Sequence, residues 1–356
     1  MINVTKTFLP PLQEYEKYLK GIWERGWITN NGQLVQELEQ KLKEFLGVKH
    51  LFFCTNGTVV LQMAIKALGL SKEIITTPYS YVATVNSILW EGCQPVFVDI
   101  SNNDFNIDAN KIEAAITENT EAILATHVYG NPCDIEQIEA IALKHKLKVI
   151  YDGAHAFACV YNDKSVLSFG DISTCSFHAT KVFHTVEGGA IITNDDALAK
   201  RFFHFRQFGH YGDEYFSVGI NAKNSELHAA MGHCVFTHLN EIIASRKRLS
   251  DLYNELLKPL KLQVPLLSDH VKYNYAYYPV VFPTHEILMR VIDTLAKQEI
   301  AGRRYFYPSL NTLSFVNGTH CPVSENVSER VLSLPLFHDL DPNVIHKICD
   351  IIKSCL

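Results

Sequence analysis

Ala122-Ile123-Leu124-Ala125-Thr126-His127-Val128, then a helix-patterned stretch over 135–146, then Lys148-Val149-Ile150-Tyr151-Asp152: this run decides the fold. Two short, almost wholly apolar segments flank one helix. Strands apolar on both faces belong to a sheet covered on both sides, and such sheets are mainly parallel. Working outward, the alternation repeats. Strands are predicted over 48–53, 74–76, 95–99, 173–177 and 190–193, with helices over 33–46, 59–68 and 81–90. Gly47 and Gly69 stand where helix caps belong. This predicts an α/β fold with a mainly parallel sheet flanked by helices, in which ligands gather beyond the carboxyl ends of the strands. After about residue 240 the texture changes: a long helix over 241–257, a strand over 273–282, a helix over 286–297 and a last helix opened by Asp341-Pro342. We expect a large domain over 1–244 and a smaller α+β domain over 245–356.

Four segments at predicted strand ends carry chemistry. Asn56-Gly57-Thr58 lies at a strand-to-helix turn, where backbone N–H groups can cradle a phosphate. Asp152 ends an apolar strand. Lys181 closes Ser176-Phe177-His178-Ala179-Thr180-Lys181 among small and apolar residues, a setting suited to a nucleophilic amine. Glu187-Gly188-Gly189 then allows close backbone approach. Singly, each has an ordinary reading: a cap, a loop acid, a surface lysine, a turn. Together they supply an amine for a Schiff base, a carboxylate for a pyridine nitrogen, and N–H groups for a phosphate dianion, as pyridoxal 5′-phosphate requires. Tyr79 or Tyr81 would stack on the ring.

The strings Asp152-Gly153-Ala154-His155-Ala156 and Ser176-Phe177-His178 through Lys181 to Glu187-Gly188-Gly189-Ala190 resemble those of the DegT/DnrJ/EryC1/StrS sugar-nucleotide aminotransferases, over nearly the whole chain. The resemblance implies a fold-type-I, pyridoxal-phosphate-dependent enzyme. Lys181 would be the Schiff-base lysine and Asp152 the partner of the pyridine nitrogen. His155 would lie against the ring and Tyr81 stack on it. Gly57, Thr58 and the Ser176 hydroxyl would hold the phosphate, and Asn221 would reach it from the other subunit of a homodimer with shared sites. Trp27 and Thr29, in an N-terminal loop, together with Arg303, Tyr305 and Tyr307, would meet the substrate. Asn56, Gly153 and Lys223 depart from the commonest pattern, and the role of Lys223 stays open.

The implied reaction moves the amino group of L-glutamate to a nucleotide-linked keto sugar. The strings look most like the branch that acts on dTDP-4-dehydro-6-deoxy-D-glucose; a 3-aminotransferase and a GDP- or UDP-sugar 4-aminotransferase are the alternatives. Such amino sugars go into surface polysaccharide such as the O-antigen of lipopolysaccharide. A cofactor-dependent sugar dehydratase would carry histidine at Lys181, and a non-catalytic regulator on the same scaffold would not need every cofactor position.

Composition agrees with this class. The chain has 356 residues, 47% hydrophobic and 20% charged, with 32 Lys+Arg against 38 Asp+Glu, a net charge of −6. That acidic balance disfavours a nucleic-acid binder. No run is long and apolar enough for a membrane span, and the start lacks a signal-peptide core, so a cytoplasmic protein is expected. Nine scattered cysteines form no Cys-x-x-Cys pair, the histidines show no metal spacing, and no Gly-x-Gly-x-x-Gly follows a strand. No metal is expected.

Overall fold

The apolar runs do pair into one sheet. A computed structural model describes residues 1–267 and 270–356. Its central sheet has seven strands, labelled here in chain order: β1 His50–Cys54, β2 Glu73–Thr76, β3 Gln94–Phe97, β4 Thr120–Thr126, β5 Lys148–Asp152, β6 Ile172–Ser176 and β7 Gly189–Thr193. The spatial order is β1-β7-β6-β5-β4-β2-β3. Only β7 runs against its neighbours; the other six point the same way. Hydrophobic clusters cover both faces, one holding Leu38, Phe53 and Phe177, another Ile65, Ile74 and Ile150.

This topology builds a site before any side chain is considered. β1, β5 and β6 end at the same edge, and β7, reversed, begins there. Cys54, Asp152, Ser176 and Gly189 therefore share one rim of the sheet.

Local chemistry explains the helices that frame the rim. Helix Gly57–Leu68 starts where Asn56 Oδ1 accepts the Val59 N–H at 2.8 Å and stops at left-handed Gly69. The cap is thus Asn56. Helix Gln33–Leu46 buries Leu34, Val35, Leu38, Leu42 and Leu46, and Gly47 ends it. Its start has no cap of its own. The carboxylate of Glu226 accepts the Leu34 and Val35 N–H groups instead, at 3.1 and 3.0 Å.

Differences from the sequence reading have physical reasons. The strand expected over 273–282 narrows to Tyr278–Val281, paired with Val331–Leu334. Arg246, buried in helix Leu239–Leu257, takes the carbonyls of Tyr275 and Ala276, so that stretch has no ladder to join. Helices Leu12–Arg25, Asp196–Phe205, Glu226–Thr237 and Pro322–Arg330 were not foreseen. Glu226–Thr237 is buried from Ala229 through Val235, so no one-sided stripe marks it.

A separate hydrophobic cluster spans residues 249–355, joining helices Leu239–Leu257, His285–Ala296 and Pro342–Cys355. Helix Leu239–Leu257 crosses the expected junction at 244/245 without a break. The N-terminus also joins this part: Ile2 bridges Ile300, and Val4 accepts the Leu336 N–H. All nine cysteines are buried and unpaired. Among the described residues no helix is long and apolar enough to cross a membrane.

Candidate active site

At the shared rim lies a cavity of about 230 Å³, lined by Gly57, Thr58, Tyr81, Asp152, His155, Ser176 and Lys181. Asn56, Thr174, Cys175, His178, Thr180, Glu187, Arg303 and Tyr305 also face it. Residues from four strand ends and from the 303–305 segment thus meet in one place.

One wall is the start of helix Gly57–Leu68, whose first N–H groups have no intrahelical partner. Close approach is what the glycines allow. A Cβ on Gly57 would lie 2.9 Å from Ser176 Cβ, and one on Gly189 would lie 2.6 Å from the Asn56 carbonyl. Any larger residue at 57 would fill the cradle between the helix start and the Ser176 hydroxyl.

The floor is acidic. Asp152 is buried, its Oδ2 accepting the Thr84 hydroxyl at 2.8 Å and its Oδ1 the Ala154 N–H at 3.1 Å. Burial raises this carboxyl above its ordinary range, while those two donors and the nearby Lys181 ammonium pull the other way. A buried carboxylate in this balance favours a cationic partner in the cavity. Lys181, half-buried, follows a turn in which its N–H reaches the His178 carbonyl at 2.9 Å.

His155 completes that side. Burial, helped by the charges of Lys181 and Arg303, drives its pKa well below the ordinary value, so the ring is neutral. Its Nδ1 is buried without a partner among the described residues, and its Nε2 lies 3.4 Å from the Tyr305 hydroxyl. The Arg303 guanidinium sits 4.5 Å from the Tyr305 ring centroid. Of Tyr79 and Tyr81, only Tyr81 reaches the cavity. Tyr79 is fully buried, bonded to the Tyr129 hydroxyl at 2.8 Å and packed on Phe306.

Other expected residues lie elsewhere in this chain. Trp27 and Thr29 are exposed on the loop before helix Gln33–Leu46, and the Trp27 indole N–H bonds the Thr29 carbonyl. Tyr307 packs under Arg304, whose guanidinium is 3.3 Å from the ring centroid. Asn221 is exposed and bridges Gln207. Lys223 bridges Cys54 through its backbone, and its ammonium lies over Phe208 at 4.7 Å. Burial, then the neighbouring Arg206, lowers its pKa. Thr84 was not foreseen: it sits inside an apolar helical stretch, and only the fold brings it under Asp152.

Residues 12–353 match the DegT/DnrJ/EryC1/StrS aminotransferase family. The chain belongs to that family. A dTDP-4-amino-4,6-dideoxy-D-glucose transaminase of Shigella dysenteriae is 41% identical over 361 residues, covering 99% of this chain and 98% of the relative. A GDP-perosamine synthase of Escherichia coli O157:H7 is 34% identical, covering 98% and 97%. Among solved structures, DesI with its TDP-sugar product superimposes with a TM-score of 0.95 at 31% identity, covering 99% of this chain and 92% of that one. The chain is accordingly a sugar aminotransferase dependent on pyridoxal phosphate.

The residues present fit that cofactor. A phosphate suits the cradle that a Cβ at 57 would fill, a protonated ring nitrogen suits the buried Asp152 carboxylate, and the unpartnered His155 Nδ1 lies on the same wall.

Proposed function

We propose that this enzyme moves the amino group of L-glutamate to C4 of dTDP-4-dehydro-6-deoxy-D-glucose, giving dTDP-4-amino-4,6-dideoxy-D-glucose. The observation that carries the reading is the meeting of Lys181, Asp152 and the Gly57–Thr58 helix start in one cavity. The 41% identity to a transaminase of that name supports the substrate. When bound, pyridoxal phosphate supplies an aldehyde for amines and a ring that accepts the electron pair of a bond broken beside nitrogen.

The chain's own groups do the rest. Lys181 Nζ would hold the cofactor at rest, and as a free amine it would take a proton from the donor's α-carbon and deliver one to the sugar carbon that receives nitrogen. Asp152, ionised, would hold a proton on the cofactor's pyridine nitrogen. Gly57 and Thr58 N–H groups and the Ser176 hydroxyl grip the phosphate. His155 and Tyr81 line the same cavity and would pack against the cofactor. Arg303 and Tyr305, which line the cavity, would contact the sugar nucleotide, with Trp27, Thr29 and Tyr307 reached as the site fills.

We further propose a homodimer in which Asn221 of one copy completes the phosphate site of the other. Around it, Phe208, Tyr211, Tyr215, Phe216, Val218 and Ile220 are all exposed, an apolar surface that suits a second copy. The separate core over 249–355 supports treating 245–356 as the smaller domain. A cytoplasmic location and delivery of the amino sugar to surface polysaccharide complete the reading.

The test is incubation with L-glutamate and each candidate keto sugar. Formation of 2-oxoglutarate and a 4-amino sugar with the dTDP substrate is expected. Turnover only with a GDP- or UDP-sugar, or amination at C3, would replace the substrate assignment. No turnover with any of them would favour a regulator.

A further inference from the structure

Behind the carboxylate of Asp152 lies a line of hydroxyls that no step above uses. Thr126 Oγ1 donates to Ser80 Oγ at 3.0 Å, Ser80 and Thr84 hydroxyls lie 2.7 Å apart, and Thr84 Oγ1 donates to Asp152 Oδ2 at 2.8 Å. All four residues are buried, Thr84 completely. Thr126 ends β4 directly beside Asp152 at the end of β5, since the two are register partners in parallel strands.

We propose that Thr126, Ser80 and Thr84 form a hydroxyl relay that keeps Asp152 ionised and aimed into the cavity, making Thr84 a positioning residue for the acid that faces the cofactor. The proposal rests on the cofactor reading given above.

Proton counting fixes the direction of the chain. Each hydroxyl has one proton, and a carboxylate only accepts. Thr84 gives its proton to Asp152, so it accepts from Ser80, which in turn accepts from Thr126. The three O–H dipoles align toward the acid and polarise one another. Oδ1 meets the Ala154 N–H, a donor that cannot reverse. A proton on Asp152 Oδ2 would oppose the line. Burial pushes the carboxyl toward that protonated form, and the thiols of Cys175 and Cys133 and the neutral His155 ring offer no charge against it. Among the described residues, Lys181 is the cation that acts on it. Three buried hydroxyls are a costly way to fill space, because each needs a partner. A row that satisfies all of them and ends on an ionisable acid has a use beyond packing.

The test uses apoprotein titrated with pyridoxal 5′-phosphate, read by absorbance and fluorescence without turnover. Thr84→Val keeps the shape and removes the donor; it should bind the cofactor about 10- to 100-fold more weakly. It should also shift the pH at which the bound cofactor's visible absorption changes. Thr84→Ser should restore both. Ser80→Ala should weaken binding by about two- to fivefold, and in the Thr84→Val background it should add nothing, because Ser80 acts through Thr84. Wild-type affinity and spectrum in Thr84→Val would overturn the relay, as would a Ser80→Ala effect of the same size with and without Thr84. If Thr84→Val does not fold, an unchanged affinity in Ser80→Ala overturns it equally. Wild-type protein that takes up no cofactor would overturn the cofactor reading and the relay with it.

Discussion

Replacing Glu226 with glutamine tests how the start of helix Gln33–Leu46 and the loop before it are held to the fold. Glu226 is fully buried, yet its carboxylate accepts the N–H groups of Leu34 and Val35 at the start of helix Gln33–Leu46. Its own N–H bonds the Ile28 carbonyl at 3.0 Å, tying in the loop that carries Trp27 and Thr29. Hydrogen bonds to a buried charge contribute about 1.5–3 kcal/mol each, and an unpaired buried donor costs about 1–3 kcal/mol. A glutamine there keeps one acceptor oxygen and turns an NH₂ toward the second N–H. The net loss is therefore about 2–4 kcal/mol. The Arg25 pair at 3.5 Å adds little, because Arg25 is one-third exposed. Urea unfolding should show a lower midpoint at unchanged slope for Glu226→Gln, and Arg25→Ala should lose about 1 kcal/mol or less. A loss under about 0.5 kcal/mol for Glu226→Gln, or a larger one for Arg25→Ala, would refute the assignment of the cap to this carboxylate.

Gly57→Ala places a Cβ 2.9 Å from that of Ser176. Overpacking of this kind should destabilise the fold by about 1–3 kcal/mol and weaken cofactor uptake about tenfold or more, as urea unfolding and apoprotein titration would measure. His127 is buried, accepts the Cys133 N–H at Nδ1 and stacks on Tyr151, and burial takes its pKa down to about 3. The folded ring stays neutral while the unfolded one gains a proton below about pH 6.5, so its contribution is complete above that pH. It is lost as pH falls toward 3, at about 1.4 kcal/mol per pH unit. His127→Gln should flatten the acid side of the thermal-midpoint profile between pH 6.5 and 4; an unchanged slope would show that the ring is charged in the fold.

Much of the architecture was legible because its signals are local. Apolar strands from Leu51 to Ile192 and glycine stops at Gly47 and Gly69 depend on near neighbours alone. The cluster Gly57, Asp152, Ser176 and Lys181 was legible because each sits at the end of a strand or the start of a helix, and a parallel sheet gathers those ends. What escaped reading depends on distant partners. The cap of helix Gln33–Leu46 comes from Glu226, 192 residues away from Leu34. Arg246 takes carbonyls that would otherwise have prolonged the strand at Tyr278. Tyr79 and Tyr81 were indistinguishable in sequence, and it is the bond to Tyr129 and packing on Phe306 that draw Tyr79 into the core. Thr84 offered no sign of its own, since threonine inside an apolar helix reads as filler.

Borohydride reduction of the cofactor-loaded protein, followed by digestion and mass spectrometry, tests the central assignment most directly. The peptide containing Lys181 is expected to carry the added pyridoxyl mass, and Lys181→Ala protein should carry none there or elsewhere. Label on a different lysine, or an unlabelled Lys181 in protein that still transfers amino groups, would contradict the account.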